Sequence, residues 1–212
     1  AAIYLSEYAH RRILGFMQPV IDILAGIPSV IYGVWGILFI VPFVRNVVAP
    51  AMGIESTGYS ILAGSLVLAV MIIPFILNIL LELFATVPRE LRESAYSMGT
   101  TKWEMVKVTV LRKTGAGIIS AVGLGWARAI GETIAVMMVV GNTIAIPENI
   151  ISPGYPLPAL IANNYGEMMS IPKYDSALMF AALVLLAITV VFNILMRLII
   201  RRFTIKSDEY ET

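Results

Sequence analysis

The sequence has no cysteine, a single histidine, and charge on only 14% of its 212 residues. Without cysteine there is no disulfide framework and no thiolate metal site. The lone His10, next to Arg11 and Arg12, reads as a surface or headgroup-facing residue rather than a metal ligand. No G-x4-G-K-[ST] stretch occurs, so the chain has no phosphate-cradling P-loop and is not itself an ATPase. Gly123, Gly125 and Gly131 superficially resemble a dinucleotide fingerprint, but their spacing is wrong and no strand precedes them. A net charge of +1 argues neither for nucleic acid nor for an acidic substrate.

What the chain does have is hydrophobicity. Apolar residues make up 58% of it and the mean hydropathy is +0.85, outside the range of ordinary soluble domains. Four apolar windows, Pro19 to Phe43, Tyr59 to Leu81, Gly115 to Gly141 and Ala177 to Ile200, are each long enough for a hydrocarbon core that takes about 20 helical residues. The opening AAIYLSEY is too short to span and reads as the end of a helix that begins upstream, so we expect an N-terminally truncated chain. The expected fold is all-α: a polytopic transmembrane bundle of four full spans plus a partial N-terminal one, in a single domain over 1–212.

If the spans alternate, Arg11, Arg12, Arg89, Arg92, Lys102, Lys107, Arg112, Lys113, Arg197, Arg201, Arg202 and Lys206 all fall on one side. Arg45 and Lys173 fall on the other, and Arg128 stays within the membrane. The positive-inside rule makes the first side cytoplasmic, and the loops Val44 to Gly58 and Asn142 to Ser176 then face outward. Asp22 reads as a helix-start or headgroup residue.

The cytoplasmic loop over 86–113 is expected to be a helical hairpin. Pro88 suits a first turn, Glu90 and Glu93 favour the N-terminal dipole, and Gly99 suits a helix end. Thr101 to Glu104 then matches the S/T-x-x-E capping box, which starts a second helix. Leu91, Ala95 and Met98, with Trp103 beyond the turn, form an apolar knuckle that reads either as a partner surface or as packing against the chain's own membrane helices.

Arg128 and Glu132 stand four residues apart within the third window. Arg128 is thirteen residues from Gly115 and thirteen from Gly141. At ~1.5 Å rise per residue that places it about 20 Å from either end, close to the midplane. A charge there costs about 2.5–3.5 kcal/mol, whereas an i,i+4 ion pair returns only about 0.3–0.5 kcal/mol in water. Local stabilisation therefore does not explain the pair. On a regular helix Gly117, Ala121, Gly125, Arg128, Glu132, Ala135, Val139 and Asn142 share one stripe, which either lines a solute path or meets a neighbouring subunit.

Glu93, Ser94, Ala95, then Gly99 and Leu111, resemble the EAA loop (E-A-A-x3-G-x9-I-x-L-P) of ABC importer permeases, with Ser94, Thr109 and Arg112 departing from it. YLSEYA, AGIPSVIYGVWG, GWARAIGETIAVMMVVGN and PGYPLPALIANNYGE, taken in order, resemble the PstC-type permeases of phosphate-specific importers. The resemblance implies the fold of MetI-like permeases in the inner (cytoplasmic) membrane, with the loop and the C-terminus cytoplasmic. It implies a docking role for Glu93, Ser94, Ala95, Gly99, Thr101, Lys102 and Trp103. It also implies a phosphate path in which the Arg128 fork attracts the anion and Glu132 acts as counter-ion. The expected partners are a PstA-type permease, a dimeric PstB-type ATPase that holds ATP and Mg, a PstS-type phosphate-binding protein and membrane lipid. No cofactor, metal or catalytic residue is expected in this chain, and no nucleic acid. Alternatives are a permease for another oxyanion, an ion-coupled transporter with Glu132 carrying a proton, or a phosphate-sensing membrane protein. The outer loop from Asn142 to Ser176 is expected to contain a short helix near Leu160 to Met169 and reads as a binding-protein dock or as a lid packed on the bundle.

Overall fold

The computed structural model describes residues 1–166, 171 and 173–208, with 203–208 described by backbone alone. After a single wide turn at Tyr4–Tyr8 come the helices α1 (Arg11–Gly26), α2 (Ser29–Ala51) and α3 (Ile61–Ala85). Then follow α4 (Arg89–Ser97), α5 (102–131), α6 (Ile134–Val139), α7 (Leu157–Asn164) and α8 (Tyr174–Asp208). Among the described residues, α2, α3 and the part Tyr174–Arg202 of α8 are helices long and apolar enough to cross a membrane.

The first expected span, Pro19 to Phe43, shifts along the chain. Pro28, with ψ 139°, caps α2 from outside, so the spanning helix runs Ser29–Ala51 and takes up residues expected in the outer loop Val44 to Gly58. Hydropathy sums over Pro28 without registering that proline clashes with the preceding turn. Pro42 and Pro50, by contrast, lie inside α2, each just after a stretch of wide i→i+5 turns, Gly36–Ile40 and Val44–Val48. The Val41 N–H bonds Gly36 O and the Ala49 N–H bonds Val44 O, which reroutes the ladder around the missing proline donors.

The third expected span, Gly115 to Gly141, is not one helix. The helix stops at Gly131, Glu132 and Thr133 leave the ladder, and α6 begins at Ile134. The short outer-loop helix also differs from expectation, running Leu157–Asn164 rather than Leu160 to Met169. Pro156 caps it and Pro158 is tolerated in its first turn, while Gly166 at φ 99° follows its end. Glu167 to Ser170 and Pro172 lie outside the described residues.

The chain divides into two compact units. The unit formed by Gly26–Ile72 and Arg128–Val191 has a core of Tyr32, Val41, Val44, Val67, Met71 and Val139. In it Gly36 lies so close to Val67 and Val139 that an added Cβ would stand 2.7 Å from Val67 Cγ2 and 2.8 Å from Val139 Cγ1. Both atoms belong to stiff β-branched side chains. Gly36→Ala is therefore expected to destabilise this unit by about 1–3 kcal/mol through overpacking, seen as a lower thermal midpoint in detergent. The other unit, Ala1–Ala25, Ile73–Ala127 and Phe192–Thr212, is built on Phe84, Val87, Met105, Val106 and Val110, with Ala2 buried among them.

Candidate functional site

The loop over 86–113 folds as the hairpin its capping signals demand. Helix α4 begins after Pro88 and ends at Ser97, with Glu90 in its first turn. Gly99 takes φ 79°, the left-handed conformation that glycine adopts without steric cost, and donates its N–H to Tyr96 O at 2.9 Å. Thr100 Oγ1 also donates back to Ala95 O at 2.8 Å. The Thr101 box is complete: its hydroxyl accepts from the Glu104 N–H at 3.4 Å, and Glu104 Oε2 accepts from the Thr101 N–H at 2.8 Å.

These bonds, with one at 2.7 Å from the Thr101 hydroxyl, hold the Glu104 carboxyl below its ordinary value. A folded value below the unfolded one stabilises the hairpin above the usual carboxylate range, and this contribution disappears as pH falls through the folded value. Amide exchange should report both halves of the box. Thr101→Ala at neutral pH is expected to lose protection over 101–105, most strongly at the Glu104 amide, and the unmodified chain at acid pH most strongly at the Thr101 amide.

The hairpin presents a groove of about 440 Å³ lined by Leu91, Ala95, Met98, Met105, Val108 and Thr109. Met98 is 84% exposed and Trp103 is half-exposed, so the apolar knuckle stands in solvent, while Ala95 packs onto the Phe84–Met105 core. Ser94, in place of the motif's alanine, donates its hydroxyl to Glu90 O at 2.8 Å and so stays satisfied on its own helix. Glu93 is exposed, and Lys102 lies over the Tyr8 ring with Nζ 4.8 Å from its centre. At the position of the motif's missing proline, Arg112 continues the helix. α5 therefore runs unbroken from the capping box, through a wide stretch at Val106–Leu111, to Gly131.

Arg128 occupies the last turn of α5, where a cation complements the helix dipole. Glu132 stands in the unwound residues beyond, and its Oε1 accepts a long, 3.4 Å bond from the Ala135 N–H of α6. The two charges are thus set on either side of a helix break rather than on one regular face. The stripe holds only as far as Arg128, because beyond Gly131 the 100° step no longer applies. Ala121 and Gly125 within it are buried, and Gly117 packs against Leu83, where an added Cβ would stand 2.7 Å from that side chain. That part of the stripe is helix-packing surface. Broken helices of this kind occur in membrane proteins where backbone is buried in protein or lines a cavity.

Tyr32 escaped the sequence reading. It is buried in the part of α2 that packs against α6. The one available signal was its place in the glycine-flanked IPSVIYGVWG stretch. Glu7 and Arg92 also went unnoticed as a pair, although they form a 2.9 Å salt bridge.

In the segment after Asn142, the base packs on its own unit. Ile151 is buried in the core, while Ile150 O and Ser152 O accept from the Leu62 and Ile61 N–H groups at the start of α3. Ile144 and Ile146 stand out from it, the latter 93% exposed. The loop is a packed base with a projecting tip.

Three comparisons bear on this arrangement. The chain is 37% identical over 219 residues to the phosphate transport system permease protein PstC of Xylella fastidiosa, an alignment covering 97% of this chain and 67% of that protein. To the protein of the same name from Haemophilus influenzae it is 36% identical, covering 95% and 68%. Its fold matches a chain of the inward-facing MetNI methionine ABC transporter with a TM-score of 0.68 at 18% identity, over 95% of this chain and 83% of that one. The family described as binding-protein-dependent transport system inner membrane component matches residues 1–205, and the chain belongs to that family.

Proposed function

We propose that the chain is a PstC-type permease subunit of an ATP-driven importer of inorganic phosphate. The observation that carries this reading is the likeness, over 97% of the chain, to a relative named as a phosphate transport permease. The chain contributes the membrane path and performs no covalent chemistry. A partner ATPase, dimeric and PstB-like, holds ATP and Mg and docks on the groove between Leu91 and Thr109. A PstA-type permease completes the path, and a PstS-type binding protein delivers phosphate on the outer side, where Ile144 and Ile146 project. The hairpin and the C-terminus face the cytoplasm, as the Lys and Arg distribution favours.

In this reading the helix that begins in the docking hairpin carries Arg128 in its last turn, before Gly131. Arg128 offers phosphate oxygens a bidentate fork. Glu132, across the helix break, supplies a counter-charge that keeps the site from holding the anion too tightly to release it.

Reconstitution of the chain with its partner subunits in proteoliposomes tests the reading. Uptake should require ATP and favour phosphate over sulfate and molybdate. Preferential uptake of either of the others would reassign the substrate, and ATP-independent uptake would replace the mechanism with ion coupling.

A further inference from the structure

The salt bridge between Glu7 and Arg92 joins parts of the chain 85 residues apart. Arg92 lies on the inner side of α4, and its guanidinium makes three bonds there. Nη1 donates to Val87 O at 2.7 Å, while Nη2 donates to Phe84 O and to Glu7 Oε1, both at 2.9 Å. The first two acceptors are at and just beyond the C-terminal end of α3, and the third belongs to the wide turn Tyr4–Tyr8. One side chain thus fastens the hairpin both to the span that precedes it and to the N-terminal segment.

The joint is part-buried, on the wall of an open hollow that Leu14, Gln18 and Arg89 also line. The Glu7 side chain is 7% exposed and that of Arg92 19%, and Glu7 Oε1 also accepts from the Ser6 hydroxyl at 3.1 Å. Apolar packing runs alongside: Ala2 belongs to the core of Phe84, Val87 and Met105, and Ile3 and Ala95 pack against it. Lys102, at the start of α5, adds a second contact to the same segment through the Tyr8 ring. On α4, Leu91, Ser94 and Ala95 line the groove, with Met98 just past the helix end, and Arg92, next to Leu91, makes the salt bridge, so groove and salt bridge share one short helix.

We propose that Glu7 and Arg92 are positioning residues of the transport cycle, fastening the coupling hairpin to the N-terminal segment so that both move as one body when the ATPase acts. This rests on reading 86–113 as the ATPase-coupling loop. The joint stays closed during movement because opening it breaks a charge-assisted hydrogen bond between two largely shielded side chains, while the bonds of Arg92 to Val87 O and Phe84 O hold its guanidinium in place for Glu7. The hairpin then drives three elements rather than two: α3 and α5, to which it is covalently attached, and the segment Tyr4–Tyr8, which it grips.

Glu7→Gln separates this role from simple stability, because it keeps the shape and a hydrogen-bond acceptor while removing the charge. In the reconstituted complex, phosphate taken up per ATP hydrolysed is expected to fall about fivefold or more, the lower end of coupling between distant sites, while the ATPase still co-purifies. The absence of cysteine from the chain permits a direct second measurement. Spin labels at Tyr4→Cys and Tyr96→Cys, both exposed positions, report the distance between segment and hairpin with and without ATP. With Glu7 present the distance should be the same in both states, and with Glu7→Gln it should broaden. A nucleotide-dependent distance with Glu7 present overturns the proposal even if the Gln variant fails to assemble. So does a Gln variant with unaltered uptake per ATP. If the unmodified complex does not transport phosphate, the functional reading fails, while the distance measurement still decides the joint.

Discussion

Arg128→Ala is expected to lower ATP-driven phosphate uptake by about 100-fold or more, because two charge-assisted hydrogen bonds to the anion, each worth about 1.5–3 kcal/mol, are lost. Assembly with the partner subunits and basal ATP hydrolysis should both remain measurable. The argument runs through the cost of the charge itself. On the proposed reading, which keeps Arg128 within the membrane, its charge opposes insertion by about 2.5–3.5 kcal/mol, so its removal should relieve the fold rather than damage it. Its surroundings agree. Arg128 closes a helix whose preceding small residues, Gly117, Ala121 and Gly125, already provide the packing. Uptake counts and co-purification read from one preparation separate the possibilities. A variant that no longer assembles would show that Arg128 joins this helix to a neighbour and is not a station for the anion.

The second large effect is expected at Gly99. Its φ of 79° is closed to proline, whose ring holds φ near −65°, and proline would also remove the N–H that bonds Tyr96 O. Gly99→Pro must therefore redirect the chain between α4 and α5. The groove from Leu91 to Thr109 is built from both sides of that turn, so its shape cannot survive the change. We expect uptake to fall by about tenfold or more, consistent with a backbone penalty of about 1–3 kcal/mol, with the ATPase detached or hydrolysing without transport. An added side chain would meet no atom within 4 Å at this position, so Gly99→Ala isolates the conformational part and should be milder. Normal transport and co-purification of the Gly99→Pro complex would refute docking at this hairpin.

The hairpin was the most legible part of the chain, because each of its signals acts over four residues or fewer. Thr101 and Glu104 satisfy each other's backbone donors whatever surrounds them, and Gly99 ends a helix by conformation alone. The apolar runs were legible but the spans were not: four full ones were expected, and among the described residues three helices are long and apolar enough to cross a membrane. Hydropathy registers the apolar run of Pro19 to Phe43 but not the break at Pro28, and the apolar run beyond Gly115 but not the one after Gly131. The second break carries no proline to announce it.

Local chemistry in the sequence determined the membrane class, the capped hairpin and the presence of two charges four residues apart in an apolar run. Whether those charges share a face was a tertiary matter, since helical phase persists only while the ladder does, and here it ends between them at Gly131. The same holds for Glu7 and Arg92. Nothing in either stretch marks the other as its partner, because a salt bridge across 85 residues forms only once the fold brings the two stretches together, here where Ala2 joins the core of Phe84, Val87 and Met105.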